Sequence, residues 1–376
     1  MSKKLFIVAG LIWFSLSNAD AADWALYRGD VGANGRVING DAFSDKLTIA
    51  WEHRLEKGFF QASPIVVEDS VFIGSDEGMG AYDLRAGKPK WKFRKMEGLT
   101  DIAAPAAYFD GLVFVGDTDG VLHALKAESG MPVWNFNTKG TIDNSPNIDT
   151  RTNRIVIGSQ SGTLFALEAA TGKPVWEYQT DDQIRCFPSI SGRHCFVAGC
   201  DSHLHVIDLD SGKGISRIPL EDSTGSTPLL AEDFAFVGTE GSEFLAIDWK
   251  QEKVVWRFPM RQAVRAPAAY REGVVIVGGM DKTIYALDAK TGTERWKFNT
   301  KGRIEGGGVI VGNRVYVPSG DSSLYVFEIQ SGKQRGKIEL SGKLLTSPAV
   351  SSNRILIASE EGVLTCLRGE EQTDKQ

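Results

Sequence analysis

The chain is short of several things that would place it quickly. It has no run of basic residues and a formal net charge of -6, which argues against nucleic acid and against anionic membrane surfaces as partners. It has no apolar run long enough to span a bilayer, the longest being Leu5 to Leu16. No Pro/Ser-rich linker or low-complexity stretch divides it. A length of 376 residues by itself would suggest two or three domains, so the missing linkers matter. They point to one continuous architecture.

What is present is repetition. The stretch Val274 to Phe298, VVIVGGMDKTIYALDAKTGTERWKF, returns in variant form up to the C-terminus. It reads as a hydrophobic strand ending in Gly278, a polar turn at Asp281, and an alternating strand closing on Ala286 and Asp288. A turn at Thr291 and Gly292 leads to a last strand carrying Trp296. The glycine position is assigned to Gly74, Gly116, Gly158, Gly199, Gly238 and Gly278, then Pro318 and Ala358, in steps of 39 to 42 residues. One such unit cannot bury its apolar face alone and must stack on its neighbours.

Three slots carry the pattern. The aromatic slot reads Trp51, Trp91, Trp134, Trp176, Ser216, Trp256, Trp296 and Gly336, and its large rings are read as wedges docking one blade on the next. The slot two before the acid reads Ala81, Ala124, Ala166, Val206, Ala246, Ala286, Val326 and Cys366, small enough for close sheet approach. Asp83, Asp208, Asp248 and Asp288 are turn-capping carboxylates, with Glu168 and Glu328 in the same slot and Lys126 and Arg368 breaking it. Trp51 has no preceding strands of its own, and the last copy stops at Leu367 without an aromatic-slot strand. Pairing the two closes a ring, so the expected fold is all-β, an eight-bladed propeller of four-stranded antiparallel blades sealed by the N-terminal strand on the C-terminal blade.

The expected organisation is a signal peptide over 1–21, a lead-in over 22–50 laid against the propeller, the propeller over 51–368 and a polar tail over 369–376. The signal has Lys3 and Lys4, the apolar run, and Ala19, Asp20, Ala21 as a small-x-small site. No cysteine lies near that site, so no lipid anchor is expected.

The pattern G-S-x-D-G-x-L-x-A-L-D-x-x-T-G-K-x-x-W resembles the quinoprotein (PQQ-type) β-propeller repeat over about residues 51 to 368, and the segment Trp24-Ala-Leu-Tyr-Arg-Gly-Asp30 is similar to the start of many exported proteins with that repeat. Two branches share it, the quinoprotein dehydrogenases and the outer-membrane protein assembly factor B family, a scaffold. The enzymes of the first branch need a carboxylate base, an oxygen cage for calcium, a Trp under the quinone and, in many members, two adjacent cysteines. This chain has no adjacent cysteines and no repeat longer than 42 residues to cover a buried cofactor. The expectation is therefore a non-catalytic exported scaffold, without PQQ, calcium or another metal, monomeric on its own and binding a protein partner or envelope ligand in the periplasm or outside. A PQQ-dependent dehydrogenase is the alternative.

Among candidate sites, His203 and His205 share a strand face as two metal ligands would. His205, however, falls in the slot of Phe165, Tyr285, Tyr325 and His123, and no third ligand stands out. Cys186 occupies a slot of small residues, Cys200 is assigned to the slot of Ser75, Ser159, Thr239 and Ser319, and Cys366 lies in the alanine slot, so the thiols read as packing residues. The most informative loops precede Pro64, Pro105, Pro146, Pro188, Pro228, Pro267, Gly308 and Pro348. They carry Gln61, Ile102, Asp143, Arg185, Gly225, Arg265, Glu305 and Leu345, with Asp101 beside the second, around one mouth of the channel. The charges Asp101, Asp143, Arg185, Arg265 and Glu305 are either a recognition rim or neutralising pairs, Asp143 with Arg185 and Arg265 with Glu305. In the assembly-factor family the resemblance implies an Arg in one such loop, matched by Arg185, and acids in the next, where Gly225 stands instead.

Cleavage is expected after Ala21 or Ala22. Mass spectrometry of the exported chain should find the new N-terminus there, and one upstream of Asp20, or a lipid adduct, contradicts the reading.

Overall fold

A computed structural model describes residues 24–37, 43, 44, 46–56, 58–94 and 101–369. The expected signal peptide over 1–21, part of the expected lead-in and the expected polar tail, apart from Gly369, lie outside the described residues. All 32 strands fall into eight four-stranded antiparallel sheets. Blade 1 comprises Ile65–Val67, Ser70–Ser75, Gly78–Asp83 and Pro89–Phe93, from the central channel outwards. Blades 2 to 7 repeat it, with innermost strands beginning at Ala107, Asn147, Ser189, Leu229, Ala269 and Val309. Blade 8 takes three strands from the C-terminus, ending in Val363–Gly369, and its outer strand from Leu47–Arg54. Trp51 lies opposite Cys366, as Trp91 lies opposite Ala81 and Trp296 opposite Ala286. Among the described residues no helix is long and apolar enough to cross a membrane.

One contact joins blade to blade. The indole N–H of Trp51 donates to the Leu84 carbonyl of blade 1 at 2.9 Å, and Trp91 donates to Ala127 of blade 2 at 2.8 Å. Trp134, Trp176, Trp256 and Trp296 repeat the bond onto Ala169, Leu209, Ala289 and Ile329. Each ring lies on the glycine of the neighbouring turn. A Cβ on Gly87, which has φ +68°, would sit 2.4 Å from the Trp51 ring, and Gly130, Gly172, Gly212, Gly292 and Gly332 are hemmed in by their own Trp in the same way. The turn needs a left-handed residue, and the docked ring leaves no room for a side chain.

Where the aromatic slot is empty, the repeat is repaired from next door. Ser216 of blade 4 leaves Phe196 without its own blade's Trp, and Trp249 of blade 5 packs edge-on against Phe196 at 5.2 Å instead. With no ring from blade 4 over its turn, blade 5 carries Glu252 at φ +54° where the other turns have glycine. Gly336 of blade 7 is compensated by Phe43 of the lead-in, packed edge-on to Tyr316 at 5.6 Å. Val206 and Val326, the bulkier members of the alanine slot, stand opposite these two gaps. The pairing also corrects one register. Ala198, paired with Leu204, occupies the glycine position in blade 4, so Gly199 and Cys200 each move one place towards the turn.

The lead-in is more than a segment laid on the outside. The carbonyls of Trp24, Ala25, Val31, Gly32, Asn34 and Gly35 accept from the N–H groups of Val66, Tyr108, Ile190, Leu230, Tyr270 and Ile310 at 2.7–3.2 Å. The innermost strands of six blades would otherwise present these donors unpaired to the channel. Asp30 holds the bend by accepting from the N–H groups of Gly32 and Asn34, both at 3.0 Å. Arg28 is fully buried and donates to the Ala268 and Gly308 carbonyls. Burial lowers its pKa to about 10.

Trp51→Ala removes a buried ring and an inter-blade bond at the closure, and should destabilise the chain by roughly 3 to 5 kcal/mol in denaturant unfolding. The triple variant Ser216→Trp, Trp249→Ala, Glu252→Gly should restore the standard junction between blades 4 and 5. It should unfold within about 1 kcal/mol of wild type, while Ser216→Trp alone costs more. Additive losses in the triple variant would contradict the exchange of rings.

Candidate functional site

Both the loops entering the innermost strands and the second-to-third-strand turns lie on one face, and the channel opens there. The mouth is a cavity of about 200 Å³ lined by Gln61, Asp143, Arg185, Gly225, Arg265, Glu305 and Leu345, with Tyr27 of the lead-in among its walls. The Tyr27 hydroxyl lies 3.3 Å from the Ser347 hydroxyl, and its ring packs edge-on to Phe187. The lead-in bonds the innermost strands at Val66, Tyr108, Ile190, Leu230 and Tyr270, three residues beyond the wall residues Ser63, Pro105, Phe187, Thr227 and Pro267, so the mouth is a shallow basin. Its wall is tied from blade to blade, with Phe187 N–H on the Thr227 hydroxyl, Gly307 N–H on Ser347 and Ser347 N–H on Ser63.

The charges are arranged by blade. Asp143, Arg185, Gly225, Arg265 and Glu305 follow one another over blades 3 to 7, an acid and an arginine on each side of a notch. A Cβ on Gly225 would meet nothing within 4 Å. Leu345, Gln61 and Ala103 complete the circle without charge. The structure brings four of the five expected rim charges to this basin and sets Asp101 in a second, outer ring. Ile102 does not belong to the rim at all. It is fully buried against Gly74, because the step from this buried position to the following proline is one residue shorter than from Ile142 to Pro146 or from Ile184 to Pro188, and Ala103 takes its place.

The expected neutralising pairs do not form. Arg265 makes a two-pronged ion pair with Glu240, at 2.8 and 2.9 Å, and Glu305 pairs with Arg303. Arg185 donates to the Gln183 amide oxygen at 3.0 Å, and Asp143 accepts from Gln160 at 2.8 Å. Asp143 and Arg265 find their partners on adjoining turns and Arg185 and Glu305 within their own loops, which leaves the basin centre open. Burial raises the Asp143 pKa, against the opposing pull of Gln160 and Arg185. Burial, with Asp76 nearby, also raises that of Asp101.

Other candidates resolve into packing. His205 is bonded on both ring nitrogens, to Asp201 at 2.8 Å and to the Tyr178 hydroxyl at 3.0 Å. Tyr285 and Tyr325 bond Asp281 and Asp321 from the same slot. His203 turns to the Asp201 carbonyl. The four cysteines are unpaired. Burial pushes the Cys186 thiol up to about 12 and Cys366 to about 11, far from thiolate chemistry. Cys200, by its corrected register, stands on the mouth face in line with Gln160 and Glu240, where a repeat alignment one residue out had hidden it. Lys126 lines a groove of about 580 Å³ between blades 1 and 2 on the opposite face.

With this geometry the relatives can be placed. The model of the family described as outer membrane protein assembly factor BamB matches residues 26–135, 81–152, 148–214, 200–305 and 280–373. The chain belongs to the BamB family. The solved BamB of Moraxella catarrhalis superposes with a TM-score of 0.73 at 20% identity, covering 88% of this chain and 99% of that one. The quinohemoprotein alcohol dehydrogenase of Comamonas testosteroni superposes at 0.78 with 14% identity, over 94% of this chain and 82% of that one. A curated relative, the quinohemoprotein alcohol dehydrogenase ADH-IIG of Pseudomonas putida, is 30% identical over 120 residues, which is 27% of this chain and 17% of the dehydrogenase. At these identities the superpositions speak for the fold alone. The curated sequence relatives do overturn the expectation that the chain is not an enzyme, because alcohol dehydrogenases stand among them.

The raised pKa of Asp143 has a consequence for stability. The folded chain holds this proton more tightly than the unfolded one, whose value lies near 3.8, so the group's contribution is present at low pH and lost as pH rises through the raised value. Asp143→Asn should therefore melt above wild type at pH 7 and lose that advantage at pH 3. An equal difference at both pH values contradicts the assignment.

Proposed function

We propose that this member of the BamB family is an exported envelope protein whose mouth face recognises a protein partner in outer-membrane protein assembly, through Asp143, Arg185, Arg265 and Glu305 of the basin rim, with Asp101 in the outer ring. The observation that carries the reading is the basin itself: a shallow, solvent-filled ring in which two arginines flank an open notch and are each held by a neighbour outside it. Guanidinium groups positioned in this way set orientation and association rate more than fold stability. The family to which the chain belongs supplies the setting, and export supplies the compartment.

The curated matches favour a second reading, a PQQ-dependent dehydrogenase. The residues of the mouth do not fit that cofactor well. About 200 Å³ is below the roughly 300–1,000 Å³ usual for small-molecule sites, and no Trp is among the wall residues. Among the described residues no group of three or more His, Cys, Asp or Glu side chains could hold a metal.

Three measurements on wild type and an Arg185→Glu, Arg265→Glu variant separate the readings. Recognition through the rim predicts a folded variant, melting within a few degrees of wild type, that captures markedly less envelope partner. A purely structural rim predicts lost thermal stability, from acids clustered with Asp143, Glu240 and Glu305, and unchanged capture per folded molecule. The dehydrogenase reading predicts that PQQ with calcium raises the wild-type melting temperature by mass action and that dye reduction with an alcohol appears. Unchanged capture by a folded variant sinks the recognition rim.

A further inference from the structure

The uncharged side of the mouth continues into a second depression. A groove of about 560 Å³ between blades 8 and 1 is lined by Phe59, Gln61, Glu305, Leu345, Glu360 and Glu361. It shares Gln61, Glu305 and Leu345 with the basin, so the two form one surface. Phe59 is 37% exposed, one of few large apolar side chains left open among the described residues, while the adjoining Phe60 is buried. Its position is held rather than loose, since the Phe59 N–H donates to Asp76 at 3.1 Å.

The charge around this ring is one-sided. Glu305 is neutralised by Arg303 and Glu360 by Lys343 at 2.6 Å. Among the described residues Glu361 is exposed and has no ion-pair partner, and Asp76 is engaged only through the Phe59 amide. An open aromatic ring beside two carboxylates without cationic partners suits a bulky apolar side chain flanked by lysine or arginine. An acidic or purely polar segment would either meet like charge or leave the ring in water.

We infer that this groove is the apolar anchor point of the mouth face and takes a partner segment in which an aromatic or large aliphatic residue sits next to a basic one. The inference rests on the mouth face being the recognition surface and adds the chemistry of what docks there. The charged side of the basin then orients the partner, and the Phe59 groove holds it.

The test uses the full mature chain and three pentapeptides carrying a neutral fluorophore: Gly-Lys-Trp-Lys-Gly, Gly-Glu-Trp-Glu-Gly and Gly-Lys-Ser-Lys-Gly. Fluorescence anisotropy should show the first binding and the other two at least tenfold weaker. Phe59→Ser should weaken the first by about tenfold. Glu361→Lys, an exposed change that leaves the ring in place, should weaken it severalfold and flatten its salt dependence. Arg185→Glu, Arg265→Glu, which adds negative charge beside the groove and removes none of its lining, should not weaken this peptide. No binding of the first peptide, equal binding of the acidic one, or indifference to Phe59→Ser overturns the inference. Because partner capture is read separately on the arginine variant, loss of capture there with no binding of the first peptide to wild type defeats the anchor and spares the rim. Peptide binding with capture unchanged does the reverse.

Discussion

The architecture depends on one repeated contact, an indole ring from the outer strand of one blade laid on the left-handed turn of the next with its N–H on a backbone carbonyl. A blade alone is a small twisted sheet with two apolar faces and cannot hold itself together. The ring supplies buried apolar area, and the bond satisfies a carbonyl that would otherwise be shut away from water. The contact demands glycine in the receiving turn, which is why Trp and Gly recur in step. At the two junctions without a Trp in the slot, the gap is filled by Trp249 from the neighbouring blade and by Phe43 from the lead-in. The volume between sheets is conserved even where its donor is not, as expected of interiors packed near crystal density.

The second constraint is the channel. Eight innermost strands point one row of backbone donors inwards, and a channel this narrow cannot hydrate them all freely. Residues 24–37 answer by running around the inner edge and giving a carbonyl to blade after blade. The cost is a buried guanidinium, Arg28, satisfied only in part by two carbonyls. The functional result is asymmetry. A disc with two similar ends becomes one with a backed basin on a single face, where every loop entering an innermost strand can present a side chain to a common centre.

Much of this was legible in the chain. The blade number, the four-strand unit and the closure of Trp51 onto Cys366 follow from periodicity and from what the first and last copies lack. The sequence also holds Ser216, Val206 and Glu252 as separate departures from the repeat, but only the pairing and the docked Trp249 ring link them. Smaller errors came from counting. Ile102 was placed on the rim because the buried aliphatic there stands three positions, not four, before the proline. Cys200 was placed in a serine slot because Gly199 stands one position beyond Ala198, and both look like the repeat glycine to an eye that cannot see strand pairing.

The charges of the mouth show where sequence stops. That Asp143, Arg185, Arg265 and Glu305 line one opening follows from their place before the innermost strands. Which partner each one takes does not, because Arg185 and Glu305 turn to Gln183 and Arg303 of their own loops while Asp143 and Arg265 reach Gln160 and Glu240 of neighbouring turns through space. The sequence by itself determined the repeat, its number and its closure, since strand alternation and blade docking act over short stretches of chain and recur at a fixed spacing. Tertiary structure alone decided that the lead-in seals the channel, that two missing rings are replaced from neighbours, and that Phe59 is left open beside unpaired carboxylates. Those contacts join residues up to hundreds of positions apart with no periodicity to announce them, and only the closed ring brings them within reach.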